Sequence, residues 1–227
     1  MPAVAAAALA VLAVAAPGSA HARGFEPGAD TAKVDNPWLP LKPGVTLVYT
    51  GVKDGRPTRD VFGATKATRT IAGVRCVAVR DRLYSRGRLI ERTTDYYAQD
   101  RHGTVWYFGE DTAELDAKGR VKSTEGTWHA GVDGARAGIF MPSHPRVGER
   151  HRQEYYKAHA EDHFSVASLH ARISVPYGSF RNVLETREWT PLEPGVLDAK
   201  HYVRGIGEVS EVSLKGPKET LELVSVR

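Results

Sequence analysis

The chain has 227 residues, with 31 Lys and Arg against 27 Asp and Glu for a formal net charge of +4, and the basic side chains are spread along it rather than gathered into a block. Without a basic run interleaved with exposed aromatics, nucleic-acid binding is not indicated. The single cysteine, Cys76, has no partner in the chain and so cannot staple it; it reads as a small buried apolar residue.

The chain opens with Met1-Pro2 and an Ala/Val/Leu run to Ala16, followed by Pro17-Gly18-Ser19 and the A-x-A sequence Ala20-His21-Ala22. A transmembrane anchor needs roughly 20 apolar residues, so residues 1–22 read as a removable secretory signal cleaved near Ala22. No Cys follows the run, which argues against a lipid anchor on a mature N-terminal Cys. No transmembrane segment appears beyond it. The expectation is a secreted, periplasmic or extracellular protein whose remaining length, about 205 residues, suits one β-rich domain.

Residues 23–35 lack periodicity and read as a flexible leader, with a single domain expected over 36–227. Asn36-Pro37-Trp38-Leu39-Pro40-Leu41-Lys42-Pro43-Gly44 carries three prolines, which forbid a helix or a central strand. It should be extended, with Trp38 and Leu41 covering one end of a sheet or barrel. Val45, Leu47 and Tyr49 then alternate with Thr46, Val48 and Thr50 as a first strand.

Five turn-like glycines follow at near-regular pitch: Asp54-Gly55, Ala72-Gly73, Arg86-Gly87, His102-Gly103 and Lys118-Gly119. The Val-, Thr- and aromatic-rich stretches between them predict an antiparallel meander. Strands of about ten residues suit a curved sheet or open barrel. The fold class expected is therefore all-β, with little helix.

Periodicity breaks over 126–148, an irregular loop in which Ile139-Phe140-Met141 could plug the core or a lid could form. Strands resume from Glu149, with Tyr155–Ser168 ambiguous. Ile173–Val175 and Phe180–Trp189 form a hairpin around Pro176-Tyr177-Gly178-Ser179. A last turn at Lys215-Gly216-Pro217-Lys218 leads into a closing strand.

Two segments could concentrate chemistry. His151 through His163 holds three histidines and three carboxylates. On a strand, His159, Glu161 and His163 would share one face and could hold a divalent transition metal such as Zn²⁺, with His151 or Glu154 nearby. On a helix, His159 and His163 would still share a face. A surface cluster of polar residues is the plainer reading. The second segment pairs Asp95 and Tyr97 with Trp106, Phe108 and Glu110 across a hairpin, with Trp128 near the mouth. Aromatics interleaved with carboxylates can line a ligand pocket, and the same pattern can simply stabilise a sheet. There is no G-x-S-x-G elbow, P-loop, dinucleotide fingerprint or C-x-x-C pair, so catalysis is undecided and binding is favoured.

The sequence resembles a group of bacterial secreted proteins of unknown function. The resemblance is carried by Asn36-Pro37 through Pro43-Gly44, Tyr107-Phe108-Gly109-Glu110-Asp111, Val175-Pro176-Tyr177-Gly178-Ser179-Phe180 with Asn182-Val183-Leu184, Trp189 through Gly195, and Gly205-Ile206-Gly207. The C-terminal half is similar to lipoprotein-carrier and lipocalin-like envelope domains. What the resemblance implies is a curved antiparallel sheet; it carries over no catalytic residues. The leading reading is a binding or carrier protein that holds a small-molecule or envelope-polymer ligand in the concave face. A metal-dependent hydrolase or lyase using His159, Glu161 and His163, and a structural envelope protein, stand as alternatives. Oligomeric state is not legible.

Overall fold

The computed structural model describes residues 24–227, and the signal-like segment with the cleavage expected near Ala22 lies outside them. The turn glycines act as their spacing suggests. At Asp54-Gly55, Ala72-Gly73 and Arg86-Gly87 both residues have positive φ (53° and 68°, 48° and 79°, 51° and 76°). That is the type I′ geometry whose twist matches a tight hairpin.

These turns join β1 (Thr46–Lys53), β2 (Arg56–Ile71), β3 (Val74–Ser85) and β4 (Arg88–Gln99), and the chain continues into β5 (Val105–Leu115). Short strands follow: β6 (Val121–Ser123), β7 (Trp128–His129), β8 (Arg136–Met141), β9 (Arg150–Arg152) and β10 (Glu154–Tyr155). A second run of long strands comprises β11 (His163–Val175), β12 (Gly178–Trp189), β13 (Leu197–Val203), β14 (Gly207–Lys215) and β15 (Thr220–Val226). No helix occurs among the described residues, and none is long and apolar enough to cross a membrane.

All strand pairs are antiparallel and form one curved sheet in the order β10-β8-β5-β4-β3-β2-β1-β15-β14-β13-β12-β11-β9, with β6 and β7 also on β5. The first and last strands meet at its centre, where Thr46 and Arg227 exchange backbone hydrogen bonds of 2.9 Å. The sheet thus has two wings, β1–β5 and β11–β15. Extra residues in β2, β4, β5, β11 and β14 mark bulges that bend it.

The sheet is not closed into a barrel. Its two end strands are nevertheless consecutive in sequence: Arg150–Tyr155 runs beside β11, turns at Gln153 and continues beside β8. The wings come so close there that a Cβ at Gly138 would lie 2.3 Å from the Arg152 carbonyl oxygen. Only glycine allows that approach.

Three expectations need correction. Residues 24–35 are not a loose leader: Phe25 and Val34 are buried, and Pro27 forms a β-bridge with Asp100. An apolar residue in each half of the segment is enough to dock it, a signal that absence of periodicity concealed. The 126–148 stretch is only partly irregular, because β7 and β8 add to the edge of β5. Ile139-Phe140-Met141 lies on β8, with Met141 fully buried. The ambiguous 155–168 stretch contains no helix; a turn over 156–160 leads into β11.

The Pro-rich lead-in closes one end of the curved sheet, and Trp38, Leu39 and Leu41 are buried. Asn36, itself buried, anchors it: its Nδ2 donates to the Gly103 and Pro142 carbonyls, and its Oδ1 accepts from the Trp38 amide. Gly205 N–H donates to the Pro37 carbonyl at 2.7 Å. Two of the motifs that carry the resemblance therefore meet at this end of the fold.

Candidate functional site

The concave face encloses a cavity of about 220 Å³ with walls from both wings. β1 supplies Leu47 and Tyr49, β2 Asp60 and Phe62, β3 Asp81, and β4 Asp95 and Tyr97. The opposite wall carries Lys200 of β13 with Glu208 and Glu211 of β14. Leu39 to Lys42 close one end. A second recess of about 200 Å³ shares Asp60, Asp81, Glu211 and Leu221 with the first and extends to the hairpin rim at Lys53, Glu91 and Glu219.

Alternation places the first-wing residues. Asp60 and Phe62 are two apart, as are Asp95 and Tyr97, so each pair shares a strand face. In β14 the lining residues Glu208 and Glu211 are three apart, an odd spacing that a regular strand would send to opposite faces. Between them the register shifts: Tyr202 pairs with Glu208, His201 with Ser210 and Lys200 with Glu211. The bulge brings both carboxylates inward beside Lys200.

The same device decides which of the sequence-proposed ligand residues meet. Asp95 pairs with Glu110 in register, but the ladder shifts so that Tyr97 pairs with Tyr107, leaving Phe108 in the bulge. Asp95 and Tyr97 line the cavity, as does Tyr107; its hydroxyl donates to Asp95 Oδ1 at 2.8 Å, and its ring stacks on Tyr97 at 4.9 Å. Trp106 and Phe108 do not line it. They pack edge-on against Phe25 of the lead-in, at 5.8 and 5.3 Å, and Trp106 Nε1 donates to Asp100. A strict two-residue period from Glu110 would have put all three on one face, and the extra residue reverses the parity. Trp128 sits behind the wall, edge-on to Tyr107 at 5.5 Å. Glu110, half-buried, pairs with Asp95 just beyond the lining.

The interior is rich in carboxyl groups whose pKa burial raises. Burial raises Asp95 to about 7, countered in part by the Tyr107 hydrogen bond. Burial, with Asp95 and Glu154 nearby, raises Glu110 to about 9. Glu208 reaches about 8, again chiefly through burial and despite Lys200. Asp60 and Asp81 lie against one another; burial raises both, Asp81 the further because Asp60 adds to the effect. Two oxygens in this group, Asp60 Oδ1 and Glu208 Oε1, are buried without a hydrogen-bond partner.

The second wall is better compensated. Glu188 accepts from Thr186 Oγ1 at 2.9 Å, Gln153 Nε2 at 3.4 Å and the Tyr202 hydroxyl at 3.5 Å, and Lys200 Nζ lies 3.2 Å from its Oε2. Lys200 is also 3.8 Å from Glu211. Burial alone would lower the Lys200 ammonium, but Glu188, Glu211 and Glu208 hold it well above its ordinary value.

The proposed metal set is not brought together. His159 lies in the turn after β10 and stacks on Tyr156 at 4.4 Å, while Glu161 Oε1 accepts from the Ala158 amide. His163, at the start of β11, stacks on Trp189 and contacts Arg152 Nε at 3.1 Å. The strand geometry that would align the three begins only at His163. His151 packs near Phe164, and Glu154 is buried, raised to about 8 by burial and Asp162. Among the described residues no group of three His, Cys, Asp or Glu side chains is placed to hold a metal ion. Cys76 is fully buried, its thiol pushed up to about 12 by burial.

Asp60, Asp81, Lys200, Glu208 and Glu211 were missed by sequence reasoning. A signal existed in β3, where Val77, Val79 and Asp81 alternate on one face and make the Asp an inward polar residue. In β14 the bulge hides the equivalent pattern.

No family model matches the chain, and no curated protein matches it. Among solved structures, it is similar to a protein described as exported, with a YmcC-like fold, from Bacteroides fragilis. That match has a TM-score of 0.48 and 12% identity, over 84% of this chain and 98% of the other. It is also similar to a protein described as a lipoprotein from Parabacteroides distasonis, with a TM-score of 0.45 and 9% identity over 88% and 100% of the respective chains.

Proposed function

We propose that the protein is an extracytoplasmic binding or carrier protein that holds a small molecule inside its curved sheet. The observation that carries this reading is the cavity of about 220 Å³ built jointly by the two wings, closed at one end by the lead-in and continuous with a recess at the hairpin rim. Packed protein interiors have few voids larger than a water molecule, and this one combines apolar walls with convergent polar groups, the composition of ligand sites. The signal-like residues 1–22 support a location outside the cytoplasm.

Native mass spectrometry of protein purified from its source cell tests the reading. The expected result is a non-covalent small-molecule adduct that is lost when Ala64, a cavity-lining residue of β2, is replaced by Trp to fill the space. Uniformly unliganded protein, with the Ala64→Trp variant as stable as the parent or more so, would overturn it.

A further inference from the structure

We infer that the ligand is a small organic cation, a protonated amine on a compact apolar body; this rests on the carrier reading and names its ligand class. Five carboxyl groups line the cavity, Asp60, Asp81, Asp95, Glu208 and Glu211, against two ammonium groups, Lys200 inside and Lys42 on the exposed lead-in at one end. Lys200 is already engaged with Glu188 at 3.2 Å and Glu211 at 3.8 Å, so an anionic ligand would meet surplus carboxyls and a cation whose charge is already answered. Buried polar groups are normally paired. Here Glu208 Oε1 and Asp60 Oδ1 are buried, have no partner, and belong to cavity-lining side chains. An ammonium group supplies what these oxygens lack: up to three N–H donors and a compensating charge.

The remaining surface fits the rest of such a molecule. Tyr97 and Tyr107 stack at 4.9 Å, and Phe140 lies edge-on to both at 5.0 and 5.8 Å, giving aromatic surface of the kind that attracts cations. Leu41, Leu47, Phe62 and Ile206 furnish apolar wall. An apolar cavity of about 150 Å³ accepts benzene, so about 220 Å³ suits a single-ring or short-chain amine. The approach is charged in the same sense: at the rim Glu91 and Glu219 face one cation, Lys53, which is 4.0 Å from Glu91.

Isothermal titration of the purified protein at pH 7.5 with three probes sharing one body separates the outcomes: phenethylamine, phenethyl alcohol and 3-phenylpropionate. The amine is expected to bind at least ten-fold more tightly than the alcohol, with no detectable binding of the carboxylate. Glu208→Gln, which keeps the shape, should weaken the amine at least ten-fold, affect the alcohol far less, and not lower the melting temperature. Equal or tighter binding of the alcohol or the carboxylate overturns the cation class and leaves the carrier reading standing. A neutral or anionic adduct on protein from the source cell does the same. Failure of all three probes, together with uniformly unliganded source protein, overturns both.

Discussion

The two walls of the cavity bury acidic side chains in opposite ways. In the first wing, Asp60, Asp81 and Asp95 sit within the sheet near one another with their pKa raised by burial, and the Tyr107 hydroxyl is the donor that reaches Asp95. In the second wing, Glu188 is held by Thr186, Gln153 and Tyr202 and paired with Lys200. A buried carboxyl with no cation avoids the cost of charge by staying protonated, whereas a paired one relies on its partner. The first wall is therefore sensitive to pH and to an incoming cation, and the second to loss of its lysine.

The sharpest break of this contrast is Lys200→Met. Removing one partner of a buried pair leaves an uncompensated charge and costs about 3–5 kcal/mol. Denaturant unfolding at pH 7 should show that loss, and the Glu188→Gln/Lys200→Met double variant should recover most of it. A single variant as stable as the parent would mean the second wall is not held by its ion pair.

Next in size is the pH dependence of the unmodified protein. Asp95 at about 7, Glu208 and Glu154 at about 8 and Glu110 at about 9 hold protons in the folded chain that the unfolded chain releases near pH 4. Folded protein thus binds more protons, and stability falls as pH rises from about 4 through these values, by about 1.4 kcal/mol per pH unit for each such group. His129 and His201, lowered chiefly by burial, act the other way but are already neutral above their ordinary range. Between pH 6.5 and 9 a clear net loss of stability is expected, steepest below pH 8 where most of these groups still hold protons. Melting temperatures that stay level or rise over that window would contradict raised pKa values for these interior carboxyls.

A smaller effect isolates one member. Asp95→Asn keeps an acceptor for Tyr107 and removes the titration, so its gain over the parent should be about 2 kcal/mol larger at pH 9 than at pH 5.5. Equal gains at both pH values would point to packing and not charge. Smallest is Tyr107→Phe, which removes the hydroxyl that lowers Asp95; a loss of about 1 kcal/mol is expected, with the midpoint of the pH-dependent loss moved upward. Cavity-binding affinity for phenethylamine in the same two variants would show whether the stable proton sites are also the ligand sites.

Much of the scaffold was readable. The I′ turns at Gly55, Gly73 and Gly87 come from local chemistry, because a residue with positive φ followed by glycine suits a two-residue hairpin wherever it occurs. The end-covering role of Trp38 and Leu41 was equally local, since the prolines leave that segment little choice. Asp95 and Tyr97 were found because their two-residue spacing survives in β4.

Sequence alone determined the all-β class, the hairpin positions and the extended lead-in, all properties of residues near one another in the chain. Tertiary structure decided which wall each side chain faces. One extra residue at Phe108 turns Trp106 and Phe108 towards Phe25 and away from the cavity, and one at the Val209 bulge brings Glu208 and Glu211 onto the same side as Lys200. A bulge is set by how two strands pair across the sheet, so its change of parity is invisible to any period counted along a single strand.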